Sequence, residues 1–272
     1  MPARDTVTMT HNAGHLEGPV TGSPAVEYEP EEIESMWDER YTESDQMWSG
    51  EPNGALVAEV EGRRPGRVLD VGCGEGADAI WLAQQGWDVT ALDVSGVALE
   101  RARAVAKEAG AGVLWLHAGL LEAALPAGGY DLVSAQYPAL LRTPDARAGW
   151  ALLDAVAPGG TLLFVHHAHF GSPPPDSDAG GSADRDGDEG HVDHGDHKSH
   201  DGHGDHGDHG DHGDGEHEPG FAPENFVGPV DIAALLGDGW RVEVDEQRPR
   251  EVSGGAGAGH SEDIVLRAVR LL

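Results

Sequence analysis

The chain has 272 residues, with 49 Asp and Glu against 17 Lys and Arg and a formal charge of -32, a balance that argues against a nucleic-acid partner, which would need clustered cations. Cys73 is the only cysteine, so no intrachain disulfide can form. The first twenty residues have no apolar signal core and no run of about eighteen apolar residues occurs, so a soluble, cytoplasmic protein without a membrane partner is expected.

Residues 1–30 are rich in Gly, Pro, Thr and acids without periodicity and read as a disordered tail; His11 and His15 within it are solvated bystanders. Residues 31–41 read as a helix, with acids in the first turn and Ile33, Met36, Trp37 and Tyr41 on one face. A loop, Trp48-Ser49-Gly50-Glu51-Pro52-Asn53, leads to a short helix over residues 55–61. Next comes the stretch on which the chain is organised: strand-like Arg67-Val68-Leu69-Asp70-Val71, then glycines at 72, 74 and 76, then the first turns of a helix from Ala77. Glycines serve where the backbone takes unusual angles and lets a ligand approach, and a helix start offers unpaired N–H donors. A nucleotide-like cofactor is the natural occupant.

From there strands and helices alternate. A helix over 78–85 stops at Gly86, a strand runs 87–93 and ends at Asp93, and a helix over 96–109 closes at Gly110. A strand over 113–117, a loop over 118–129, a strand over 130–136, a helix over 146–157, a Pro158-Gly159-Gly160 turn and a strand over 161–166 follow. Runs apolar on both faces predict a parallel sheet covered on both sides. Residues 171–220 have no hydrophobic pattern; a helix over 231–236, a strand over 240–244, a glycine-rich turn over 254–259 and a last strand over 263–269 complete the chain.

Gly72-x-Gly74-x-x-Ala77 alone also fits a loose dinucleotide fingerprint. A dehydrogenase, however, needs a second substrate domain, and no residues remain to form one. The fuller word Asp70-x-Gly72-x-Gly74-x-Gly76 with Asp93 resembles the class I S-adenosylmethionine-dependent methyltransferases, and the Trp48–Asn53 loop resembles the N-terminal cap of the thiopurine and tellurite-resistance type. The resemblance implies a Rossmann-like α/β fold: a seven-stranded sheet, mostly parallel, with an antiparallel last strand between the fifth and sixth. The domain would span residues 31–272, with the cap at 31–62 and the low-complexity insertion at 171–220. It further implies that Trp48, Asn53, Asp70, Gly72, Gly74, Gly76, Asp93, Val94, Leu120 and Gln136 hold S-adenosyl-L-methionine, Asp93 through the ribose hydroxyls. The family's acid after the third strand is missing, since Gly119 stands there; backbone groups or His117 would replace it.

Ligands of open α/β sheets sit at the carboxyl ends of the strands. That edge is expected to gather Tyr137, the His166, His167 and His169 run, Arg248, Arg250, His260 and Asp263. An imidazole there could act as general base, which makes His166, His167 and Tyr137 candidate catalytic residues. Alternatively His166, His167, His169, His260 and Asp263 could hold a divalent transition metal such as Zn, Ni, Cu or Co. Arg248 and Arg250 could receive an anionic substrate or pair with Glu246 and Glu251.

His191, His194, His197, His200, His203, His206, His209 and His212 recur every third residue among Asp and Gly, a composition suited to a second, loop-borne metal site. The expected function is methyl transfer to a small molecule at a sulfur, selenium, tellurium or nitrogen nucleophile. The alternative is a metal-sequestering or metal-sensing protein on a Rossmann scaffold.

Overall fold

The computed structural model describes residues 28–168, 225–250, 255 and 260–272. Its elements are α1 (Pro30–Thr42), α2 (Gly54–Val60), β1 (Arg67–Val71), α3 (Ala77–Gln84), β2 (Asp88–Asp93), α4 (Gly96–Ala109), β3 (Val113–His117), β4 (Tyr130–Gln136), α5 (Arg147–Ala155), β5 (Val156–His167), α6 (Pro229–Leu235), β6 (Trp240–Pro249) and β7 (Glu262–Arg270). The strands form one seven-stranded sheet in the order β3-β2-β1-β4-β5-β7-β6. Strands β1 to β5 pair in parallel, and β7 is antiparallel to both β5 and β6.

Alternate residues of a strand face opposite sides of a sheet, and here both sides are apolar. Val68, Leu132, Leu163, Val165 and Val265 pack with Ala55, Leu56 and Val60 of α2 and Ala79 and Leu82 of α3. Their neighbours Leu69, Val133, Leu162, Phe164 and Leu266 pack on the other side with Leu152 of α5 and Ile232 of α6. A slip of one residue in any of these strands would exchange the two cores, which fixes the register.

The local signals explain where elements begin and end. The Ser95 hydroxyl accepts the Ala98 N–H at 3.0 Å and starts α4, and Gly110 at φ 66° ends it. Two expectations are corrected. Pro158-Gly159-Gly160 does not separate helix from strand: α5 ends at Ala155, and β5 begins at Val156, paired with Tyr130, before a register shift brings Thr161 opposite Leu132. Strand β6 runs on to Pro249 because β7 offers it partners as far as Glu262. No helix among the described residues is long and apolar enough to cross a membrane.

A buried carboxylate ties the amino-terminal layer to the antiparallel end of the sheet. Glu59 of α2, whose side chain is 7% exposed, accepts from Arg248 of β6 at 2.7 Å and from Arg267 of β7. Arg63 donates to the Glu59 carbonyl at 2.9 Å and to the Thr161 hydroxyl at 2.8 Å. Removing one partner of such a group strands the others' charge, so Glu59→Ala should lower the unfolding free energy by about 3 kcal/mol, read from urea denaturation.

Candidate functional site

Strand β1 delivers Asp70 to the carboxyl edge of the sheet, and the chain then turns through Gly72, Gly74 and Gly76 at φ of 70°, 52° and 83°. Gly72 N–H and Cys73 N–H both donate to the Leu92 carbonyl, at 2.9 and 3.0 Å, which ties the turn to the end of β2. Glycine is demanded by space as well as by conformation. A Cβ on Gly74 would lie 2.8 Å from the Tyr41 hydroxyl, and one on Gly76 would lie 2.7 Å from the Trp115 ring.

Three carboxylates surround this turn, all buried. Asp93 accepts the Gly74 N–H at 2.8 Å through Oδ2 and the Ser95 N–H at 2.9 Å through Oδ1, so each oxygen keeps a lone pair for a further donor. Asp78 accepts the Asn53 N–H and side-chain amide, both at 2.7 Å. Asp70 is 2% exposed, and its Oδ2 has no hydrogen-bond partner. Across the β1–β4 pairing, Gln136 donates to the Ser134 hydroxyl at 3.0 Å and leaves Oε1 equally unpartnered. Burial, followed by the charges of Asp78 and Asp93, drives the Asp70 carboxyl well above the ordinary carboxylate range.

The amino-terminal segment lies directly over the turn. Trp48 Nε1 donates to the Tyr41 hydroxyl at 3.0 Å, and the Met47 and Trp48 N–H groups donate to Glu75 at 3.2 and 3.0 Å. Arg101 of α4 bonds Glu75 at 2.9 Å and the carbonyls of Tyr41 and Ser44 at 2.7 Å. Asp38 of α1 accepts the Ser95 hydroxyl at 2.6 Å and the Val97 N–H at 3.2 Å. Gly255, between β6 and β7, closes the far side: a Cβ there would meet the Ser49 nitrogen at 2.6 Å.

Of the expected cofactor set, Trp48 is at the glycine turn, while Asn53 turns its amide to Asp78. Val94 offers its carbonyl to His117 at 2.9 Å, and Leu120 is buried in the α5 face. His117 also lies 3.2 Å from Glu34, so its Nε2 is engaged by the cap. The Glu122 carboxylate folds over Gly119, occupying the space a side chain there would fill. Tyr41, Glu75, Arg101 and Glu122 were not anticipated. Only the apolar face of α1 hinted at Tyr41, and nothing local marks the other three.

At the β4, β5 and β7 ends, register brings His167 opposite Asp263 and Asp263 opposite Arg248. Tyr137 holds a left-handed φ of 51° and donates its hydroxyl to Asp263 at 2.7 Å. Its ring packs against the Arg250 guanidinium, 4.2 Å from the centroid, and the His167 ring at 4.5 Å. Burial and then Asp263 push the Tyr137 hydroxyl upward. Burial pushes the Asp263 carboxyl up as well, but His167, Tyr137 and Arg250 outweigh it and hold the group below its usual range. His166 is 3% exposed, its Nδ1 accepts the His167 N–H at 2.9 Å, and burial pushes it down to about 3. Arg250 Nη1 is 3.0 Å from His167 Nδ1. The same nitrogen of His167 is 3.7 Å from Asp263 Oδ1.

The metal set expected at this rim includes His169, which lies outside the described residues. Among the described residues no group of three or more His, Cys, Asp or Glu is placed to hold an ion. His166 Nδ1 accepts the His167 N–H, and His167 and His260 stack face to face with ring centroids 3.6 Å apart. His169 and the histidines from His191 to His212 lie outside the described residues. Both rim arginines are in pairs: Arg248 with Glu59 and with Glu246 at 2.8 Å, and Arg250 with Tyr137, His167 and Asp263.

Residues 68–160 match the family model described as a methyltransferase domain. An uncharacterized methyltransferase of Mycobacterium tuberculosis is 42% identical over 99 residues, covering 36% of this chain and 49% of that protein, so the chain spans about half the length of the curated relatives it matches. A solved structure concerned with conversion of a disulfide bond into a thioacetal group during echinomycin biosynthesis superposes with a TM-score of 0.59 at 22% identity, over 88% of this chain and 92% of the other. TehB from Haemophilus influenzae superposes at 0.50 and 12% identity, over 88% and 67% of the two chains. The fold is therefore the Rossmann-like methyltransferase fold, with its last strand antiparallel.

Two outcomes follow from the buried carboxylates and the cap. Asp70 has a folded-state pKa above its unfolded value, so its stabilising contribution is present at low pH and is lost as pH rises above the ordinary carboxylate range. Asp70→Asn should therefore lose less stability than the parent between about pH 5 and about pH 8 in paired thermal melts. Glu75→Ala, by releasing the Met47 and Trp48 amides, should speed hydrogen exchange over residues 43–49 by about tenfold while leaving the β1 and β4 amides protected.

Proposed function

We propose that this protein is an S-adenosylmethionine-dependent methyltransferase acting on a small molecule that attacks through sulfur, selenium, tellurium or nitrogen. The observation that carries the reading is the unpartnered, buried Asp70 Oδ2 beside a glycine turn whose positive φ values leave no Cβ in the way. A buried carboxylate without a donor is costly, and a cationic amino group offsets that cost. The unpartnered Gln136 Oε1 on the next strand suits the same amino group. The spare lone pairs of Asp93 suit a diol, and Glu122 brings a carboxylate to the end of the third strand, where position 119 has none. The match of residues 68–160 to methyltransferase domains supports the same cofactor.

When bound, S-adenosylmethionine supplies an electrophilic methyl on a sulfonium: the acceptor's lone pair forms the new bond, the carbon–sulfur pair returns to sulfur, and any proton left on the acceptor passes to water. The chain's own residues bind, orient and exclude solvent, and the Tyr41–Trp48 cover over Gly74 serves the last of these tasks. The rim favours acceptors that need little help with a proton. His166 is held neutral by burial, His167 is packed against Arg250 and Asp263, and the Tyr137 hydroxyl donates to Asp263. These three residues thus hold and orient. A thiolate, selenide or free amine attacks without a base, which is why the soft and nitrogen nucleophiles are preferred over alcohols.

Calorimetry with S-adenosylhomocysteine tests the reading. Binding in the micromolar range that weakens by about tenfold or more in Asp93→Ala is the expected result, each tenfold being about 1.4 kcal/mol. No binding by the parent protein, or equal binding by Asp93→Ala, would overturn it.

A further inference from the structure

The Tyr41 hydroxyl stands over the glycine turn: a Cβ on Gly74 would lie 2.8 Å from its oxygen and 3.3 Å from Trp48 Nε1. Tyr41 is the buried residue of α1, only 3% exposed, so solvent does not reach its ring. Its oxygen accepts the Trp48 indole N–H at 3.0 Å, and among the described residues no acceptor meets its own proton. A phenol has one O–H besides its lone pairs, so the bond from Trp48 occupies a lone pair and leaves the donor uncommitted. A buried donor without an acceptor is costly, and a ligand that accepts removes that cost.

Four neighbouring side-chain donors are already engaged. Trp48 gives its N–H to Tyr41, Asn53 donates to Asp78, Ser95 donates to Asp38, and Arg101 donates to Glu75 and to the Tyr41 and Ser44 carbonyls. The acceptors at the turn are matched too: Asp70 and Gln136 suit the amino group of the cofactor and Asp93 its diol. What remains of an amino-acid nucleoside is its carboxylate, which only accepts.

Electrostatics makes that group the demanding one. Asp70, Asp78 and Asp93 are buried around the turn, so a further carboxylate is repelled unless a donor meets it there. An O–H donated to a carboxylate is charge-assisted and about twice as strong as a neutral hydrogen bond. Burial, and then the charge of Asp93, pushes the Tyr41 hydroxyl upward, so it keeps its proton.

We propose that Tyr41 binds the carboxylate of the cofactor through its hydroxyl, and that Trp48 Nε1 is the positioning group that commits the hydroxyl's lone pair and leaves its O–H to the ligand. This rests on the methyltransferase reading and makes the amino-terminal cap a source of cofactor affinity as well as a cover.

The test is calorimetry on the full chain with two ligands: S-adenosylhomocysteine, and its decarboxylated analogue, which keeps the amine, the thioether and the nucleoside. Tyr41→Phe should weaken S-adenosylhomocysteine by about tenfold and leave the analogue within about twofold of the parent. A merely structural role predicts otherwise, because a cap loosened by the stranded Trp48 N–H weakens both ligands alike. Equal loss on both, or unchanged S-adenosylhomocysteine affinity, overturns the Tyr41 assignment alone. If Tyr41→Phe does not fold, Trp48→Phe, which keeps the hydroxyl and removes the N–H that positions it, takes its place with the same selective loss expected and the same overturning results. Failure of the parent protein to bind S-adenosylhomocysteine overturns the methyltransferase reading and this assignment with it.

Discussion

The structure depends on one crowded point, the backbone at Gly74. Its N–H is held by Asp93 from the neighbouring strand, and the space where a side chain would begin is taken by Tyr41 and Trp48 from the amino-terminal segment. Strand β2 and the cap therefore converge on the turn that follows β1, with no room between them. The positive φ at three alternate positions is what lets the chain make this bend without strain, and only glycine adopts such angles at little cost.

Around that point the protein concentrates negative charge where water is scarce. Asp70, Asp78 and Asp93 are all buried, and burial raises all three carboxyls above their ordinary range, against which the N–H donors to Asp78 and Asp93 act. Asp78 and Asp93 are stabilised by those donors, whereas Asp70 has only its neighbours' repulsion. A site of this kind is less stable empty than filled by a cation, the trade between stability and function expected where a protein is preorganised for a ligand. The hub of Glu75 and Arg101 then fastens the cover: one carboxylate takes two loop amides, and one guanidinium takes the Tyr41 carbonyl in the last turn of α1 and the Ser44 carbonyl just after it.

Among the described residues the rim at β4, β5 and β7 is organised by stacking and pairing. Tyr137 packs against both Arg250 and His167, and Pro138, the next residue, lies against Gly72. Strain such as the left-handed φ of Tyr137 persists only where the surroundings over-determine it, and the hydroxyl bond to Asp263 is part of that determination. Tyr137, Arg250 and Asp263 thereby hold the post-β4 chain in place.

The glycine word, Asp70, Asp93, the alternation of strands and helices, and the apolar runs of β1, β4 and β5 were legible in the sequence, because each is a local consequence of backbone sterics or of period-two burial. The sequence alone thus determined the sheet and the residues of the glycine turn. What only the tertiary structure decided is the pairing of side chains distant along the chain: Asn53 with Asp78, Glu59 with Arg248 and Arg267, Glu75 with Arg101, and the rings of His167 and His260 face to face. The reason is physical: a polar residue's type states what it can bond to, but which partner it meets is set by strand register and by the desolvation of competing groups, and neither quantity exists until the chain has folded.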